Sequence, residues 1–106
     1  MQKRVMIAYR MAAEDRMVHI PIVYEIHEDA ALCMKAIRCR VDLPAAAVPN
    51  WLSSATFEIT THNRYGFRVI NYNDKEGQTQ DAAFFRYKVF ADIMHQERLH
   101  GNAGNE

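Results

Sequence analysis

Val18, Ile20, Ile22, Tyr24 and Ile26 occupy every second position of a run that also holds His19, Pro21, Val23, Glu25 and His27. A strand sends alternate side chains to opposite faces, so the first set forms an apolar wall and the second a wetter one. The pattern predicts an antiparallel strand over residues 17–27 with one face toward a core. Pro21 within it favours a sheet edge or a bulge. The same alternation predicts a preceding strand over residues 4–10, where Val5, Ile7 and Tyr9 share a side.

Residues 30–35 fit two templates. Ala30, Met34, Ile37 and Val41 make a helical stripe, with Asp29 available as N-cap. From Lys35 onward, however, Ile37, Cys39, Val41 and Leu43 alternate with Arg38, Arg40 and Asp42. The strand reading accounts for the charges as well as the apolar positions, and a hairpin with the strand before it follows. Pro44 ends this strand. An irregular segment then carries two prolines, a possible single helical turn, and Trp51 and Leu52. Phe57, Ile59 and Thr61 mark a fourth strand over residues 56–62. Residues 63–66 read as a glycine-containing turn, 67–72 as the returning strand and 73–77 as a loop.

The closing segment has helical periodicity over residues 80–100. Thr79 can cap it, Asp81 suits the positive end of its dipole, and Arg98 and His100 suit the negative end. Gly101 reads as the residue after the helix. At about 100° per residue, Ala83, Tyr87, Phe90 and Met94 form one stripe, and Ala82, Phe85, Val89 and Ile93 form another beside it. Together they cover roughly 200° of the circumference, where packing on one sheet needs a stripe only a little over 100° wide. Phe84 lies outside both stripes. Either the Trp51 segment covers the surplus or a second protein does. Arg86 falls inside the apolar arc, as a stem lying on the core with its head in water or as an interface anchor.

The chain has 106 residues, with 13 Lys and Arg against 13 Asp and Glu. That length predicts one domain able to bury about two thirds of its unfolded surface. The charge balance disfavours nucleic acid, since nothing supplies the excess field that phosphates require. The basic group Lys35, Arg38 and Arg40, with Arg68 and the aromatics Tyr65, Phe67 and Tyr72, would be the surface for it. No apolar run reaches the roughly 20 residues of a membrane span. The apolar stretch near the N-terminus is shorter than a secretory leader's and is closed by Arg10, so a cytoplasmic location is expected. Cys33 and Cys39 would lie about 20 Å apart in a strand and about 9 Å apart in a helix, too far to pair. Two buried free thiols are expected.

Candidate chemistry is sparse. Glu25 and His27 share one strand face about 6.6 Å apart, a spacing that can orient an imidazole as a general base. His19 stands about 26 Å from His27 along the strand, so the two cannot share a metal. His95 and His100 are five apart on a helix, whereas helical metal pairs are three or four apart. Ser53 and Ser54 lack a glycine-flanked elbow. The glycines are too scattered to cradle a phosphate.

These readings define an α+β fold: an antiparallel sheet of about five strands with one long C-terminal helix packed on one face. Residues 1–101 form one domain and 102–106 a disordered tail. The expected function is that of a small non-catalytic protein-binding module, an inhibitor, adaptor or assembly subunit of the kind phages and mobile elements encode. Its partner would be another protein or a second copy of itself, met through Trp51, Phe84, Phe85, Arg86 and Val89, or through a sheet edge. No catalytic residue, cofactor or metal is assigned. The alternative is a small-molecule-binding protein or enzyme with a histidine and carboxylate site between sheet and helix, drawn from Glu25, His27, His62 and Arg68.

Overall fold

The computed structural model describes residues 2–12, 14–52, 54–62, 68–71 and 80–104. Five strands, β1 (Lys3–Met11), β2 (Arg16–Asp29), β3 (Met34–Val41), β4 (Thr56–His62) and β5 (Arg68–Asn71), are followed by one helix, α1 (Gln80–Gly104). The strands lie side by side in chain order, each antiparallel to the next. Four long strands make the body of the sheet, and the four-residue β5 adds to its edge. α1 packs across one face, so the chain is α+β as its patterning predicted.

The alternating residues sort as their spacing requires. Ile20, Ile22 and Tyr24 of β2, Ile37, Cys39 and Val41 of β3, and Phe57 and Ile59 of β4 are all buried beneath the helix. Ile7, Tyr9 and Met11 of β1 join them. From α1 come Ala82, Phe85, Val89 and Ile93, each without solvent exposure. Phe85 is the hub of an aromatic cluster. Its ring meets Tyr9 at 5.7 Å, Trp51 at 5.6 Å and Phe57 at 6.5 Å, each near edge-to-face. That arrangement sets a positive ring edge against a negative ring face and adds roughly 0.5–1.5 kcal/mol per pair beyond burial.

Residues 30–33 form a turn rather than a helix, and the hairpin between β2 and β3 closes through the Cys33 N–H donating to the Ala30 carbonyl at 3.3 Å. Cys33 adopts a φ of 54° there and Asp15 a φ of 45° in the first hairpin. Left-handed backbone costs roughly 1–2 kcal/mol for a residue with a Cβ, and aspartate can offset part of that through local hydrogen bonds. The segment between β3 and β4 holds two single 3-10 turns, Ala45–Ala47 and Asn50–Leu52. The second inserts Leu52 into the core and half-buries Trp51.

Three expectations need revision. Pro21 sits in an inner strand, not at an edge. Its carbonyl accepts the Asp42 N–H at 2.9 Å, just beyond the end of β3. In an antiparallel ladder a residue sends N–H and C=O to the same side, so the missing donor falls where the neighbouring strand has finished. Cys33 is exposed in its turn, and only Cys39 is a buried thiol. The helix continues through Gly104, so residues 102–104 are helical rather than a disordered tail. Residues 105–106, the proposed cap Thr79, the turn at 63–66 and the loop at 73–77 lie outside the described residues.

Polar tethers fix α1 at both ends. Near its start, the Asp81 carboxylate accepts the Tyr9 hydroxyl at 2.7 Å and the Ala12 N–H at 2.9 Å. Near its end, Glu97 accepts Lys3 Nζ at 2.7 Å and the Tyr24 hydroxyl at 2.9 Å. Gln96 Nε2 donates to the Arg4 carbonyl at 3.1 Å. Because β1 pairs only with β2, these bonds also occupy both ends of its free edge. Burial, reinforced by the Asp81 hydrogen bond, pushes the Tyr9 phenol up to about 12. Burial and Glu97 push Tyr24 up to about 12 as well.

Candidate functional site

Two surfaces can meet a ligand or partner: the outer side of α1 and the sheet face that α1 leaves open. Successive helical residues step by about 100°, so burying one stripe turns its neighbours outward. Phe84 is 48% exposed and Tyr87 59% exposed, and they lie three residues apart on adjoining turns. Ala83, Phe90 and Met94 are half-buried along the flank, and Leu99 is exposed farther on. Lys88 and Asp92 form an ion pair at 2.9 Å on the same helix.

The residues expected to bind a partner divide between surface and core. Phe84 is exposed and Trp51 half-buried, its ring 5.6 Å from Tyr9. Phe85, Arg86 and Val89 are interior, so no partner reaches them while the domain is folded. Periodicity marked two adjacent apolar stripes, but it could not say which one the sheet would take. The aromatic cluster chose the stripe that contains Phe85. Arg86 does not keep its head in water either. Its guanidinium carbon lies 5.4 Å from the centroid of the Phe57 ring, a cation–π contact inside the sheet–helix layer.

The open face is built from the even-numbered positions of β1, β3 and β4 and the odd-numbered positions of β2. Cross-strand register places Arg4, Val23 and Arg40 in one row, Glu25, Arg38 and Glu58 in the next, and His27, Ala36 and Thr60 in a third. Val23 is buried although it faces away from the helix, in a row between Arg4 and Arg40. Among the described residues, the arginines at the centre of this face are paired. Arg38 Nε donates to Glu58 at 3.2 Å, Arg40 meets Asp42 at 3.4 Å, and Arg4 also reaches Asp42. Lys35, the third member of the basic group, alternates to the other face of β3, where it pairs with its register partner Glu28 at 3.4 Å. The group therefore offers no uncompensated positive field.

His27 Nε2 lies 3.3 Å from Glu25. This pair occupies the open face, on the side opposite the helix, and not a cleft between the two layers. His62 and Arg68 are register partners on β4 and β5. Tyr65, Phe67 and Tyr72 lie outside the described residues. Burial pushes the Cys39 thiol up to about 12, which leaves it no thiolate at neutral pH. Among the described residues, no three or more His, Cys, Asp or Glu side chains come together as a metal site.

No family model, curated protein or solved structure matches this chain.

Among the shallow depressions of the open face, two lie across β2, β3 and β4. One, of about 430 Å³, runs past Val23, Glu25, Arg38, Arg40, Thr56 and Glu58. The other, of about 390 Å³, is lined by His27, Glu28, Asp29, Leu32, Met34, Ala36, Glu58 and Thr60. Glu58 borders both. Sequence reasoning missed the second depression, because Leu32 belongs to a turn, and Ala36 and Thr60 are distant in sequence and carry no chemical signature. Among the described helices, none is long and apolar enough to cross a membrane.

Proposed function

We propose that this protein is a small non-catalytic protein-binding module, an inhibitor, adaptor or assembly subunit that works in the cytoplasm. The reading rests on one observation: after α1 has filled the core with one stripe, it still holds Phe84 and Tyr87 outward on adjoining turns. Aromatic side chains bury about 150–250 Å² each and dominate interface energetics. Two that are about half exposed offer roughly 200 Å², against the roughly 800 Å² that each partner contributes to a standard interface. They fit the role of central anchors within a larger contact. The free state of both cysteines suits a reducing compartment.

The test compares capture from a lysate of the native cell by the wild-type chain and by a Phe84→Ser/Tyr87→Ser double variant, with mass spectrometry of what is retained. Both positions are surface positions, so circular dichroism should be unchanged. Support is a protein held in near-stoichiometric amount by the wild type and lost from the variant. Equal capture by both, or none by either, refutes the reading. Sedimentation velocity at micromolar concentration separates a second copy, which would appear as a dimer that the double variant dissolves, from a different protein.

A further inference from the structure

A third surface is the outer edge of β1, and the helix tethers define how much of it is open. In an antiparallel ladder a residue sends its N–H and C=O to the same side, and successive residues alternate sides. The Arg4 carbonyl accepts Gln96 and the Ala12 N–H donates to Asp81, so the even-numbered residues of β1 face away from β2. Between those tethers lie Met6, Ala8 and Arg10. All are exposed, and among the described residues their outward N–H and C=O groups bond to nothing. Asp81 is one step, about 100°, around the helix from the buried Ala82, so it reaches Tyr9 and Ala12 from the flank of α1. The helix axis therefore lies inboard of this edge, which leaves room for a further strand.

Monomeric proteins guard such an edge with a proline, a bulge or an inward-pointing charge. The centre of β1 has none of these. Its pairing with β2 runs one-for-one from Lys3 to Met11, and Val5, Ile7, Tyr9 and Met11 all turn toward the core. Its exposed arginines are already answered, Arg4 by Asp42 and Arg10 by Asp15 at 3.0 Å.

We propose that the occupant of this edge is β1 of a second copy, antiparallel across a two-fold axis at Ala8, so that two sheets join into one. This register sets Met6 opposite Arg10 of the second copy and Ala8 opposite its own counterpart, pairing every open N–H and C=O. It also sets Arg4 opposite Ala12, so the positions already held by Gln96 and Asp81 face one another. A longer strand from an unrelated protein would leave its own polar groups against those tethers without partners, which is costly. Neighbouring registers fail on charge or on occupancy. An axis at Ile7 opposes Arg4 to Arg10 and one at Arg10 opposes that residue to itself, and like charges directly opposite destabilise a ladder. Axes at Met6 or Tyr9 aim open groups at the tethered Arg4 or Ala12. With the axis at Ala8, the stem of Arg10 lies along Met6, which is 58% exposed. One patch pairing with itself is also the commonest closed symmetry of oligomers. The contact is made by backbone and stands whether or not Phe84 and Tyr87 meet a protein.

The test is sedimentation velocity of the full chain from micromolar to millimolar concentration, joined to cysteine cross-linking. A dimer is expected to build with concentration and to persist in the Phe84→Ser/Tyr87→Ser variant. Ala8→Pro removes an outward donor that no bond within the molecule uses, and proline is tolerated at such edge positions. Circular dichroism should therefore be unchanged while dimerisation weakens about tenfold or more. Ala8→Cys, in a Cys33→Ser background, should oxidise to a covalent dimer, since opposed hydrogen-bonded residues stand about 5.5 Å apart at Cα, within disulfide reach. Met6→Cys in the same background should not, because its thiols fall about 13 Å apart along the ladder. Monomer alone throughout the range, a dimer that Ala8→Pro leaves intact, or equal cross-linking by the two cysteine variants would overturn the pairing. A dimer that the double serine variant dissolves and Ala8→Pro does not belongs to the helix face, and overturns it too.

Discussion

Replacing Asp81 by alanine tests whether the helix is pinned or merely rests on the sheet. The substitution strands two donors, the Tyr9 hydroxyl and the Ala12 N–H, which the carboxylate accepts at 2.7 and 2.9 Å. Hydrogen bonds to a charged group contribute about 1.5–3 kcal/mol each. Tyr9 is buried, so its hydroxyl carries the full cost. The Ala12 amide is only partly buried and can turn to water, so it carries less. Loss of a negative charge from the first helical turn adds about 0.3–1 kcal/mol. The expected sum is about 3 kcal/mol, in the upper range for one substitution. Tyr9→Phe removes one donor and should cost about 1–1.5 kcal/mol. In a double-mutant cycle the pair should couple by about 1.5 kcal/mol. Urea unfolding followed by circular dichroism measures all four states, and a slope near 1.5 kcal/mol per M turns the loss for Asp81→Ala into a midpoint about 2 M lower. A loss below about 1 kcal/mol, or zero coupling to Tyr9, would refute the pin.

Other expectations follow from neighbouring facts. Phe85→Ala empties the centre of the aromatic cluster and should cost about 3–5 kcal/mol, while Phe84→Ala, one residue away and exposed, should stay within about 0.5 kcal/mol; similar losses for both would contradict the assignment of the buried stripe. Cys33→Gly relieves a left-handed backbone position at the cost of greater freedom in the unfolded chain, so unfolding should show a net gain of roughly 0.5 kcal/mol. Alkaline pH should destabilise the fold. Tyr9 and Tyr24 are raised from 10.0 to about 12 and Cys39 from 9.0 to about 12. Each is raised above its unfolded value, so its contribution is complete below that value and is lost as pH climbs through the folded one. The melting temperature should hold to about pH 9 and fall steadily toward pH 12, and Tyr24→Phe should flatten part of that fall.

Much of the frame was legible in local pattern. The spacing of Ile20, Ile22 and Tyr24, and of Phe57 and Ile59, named the buried side of two strands, because a strand's period is short and strict. The helix was legible as a helix, yet its orientation was not. Both of its stripes are apolar, and what decided between them lies far away in sequence: Tyr9 on β1, Trp51 in a 3-10 turn and Phe57 on β4. Arg86 was misread for the same reason, since the ring that receives it is 29 positions earlier. Asp81 was read as a partner for the helix dipole, and nothing in the sequence pointed to Tyr9 as its second role. The depression around Thr60 was invisible because its lining, Leu32, Ala36 and Thr60 among it, is gathered from separate elements.

The tethers between the opening strand and the closing helix carry a further consequence for biosynthesis. Each hairpin of the sheet joins neighbours in sequence and can form as the chain leaves the ribosome. The oily side of that sheet, however, stays bare until residues 80–97 have emerged and folded back to Tyr9, Lys3 and Arg4. The nascent chain is thus most prone to sticking just before its helix appears, and a pause in translation upstream of residue 80 would prolong that exposure.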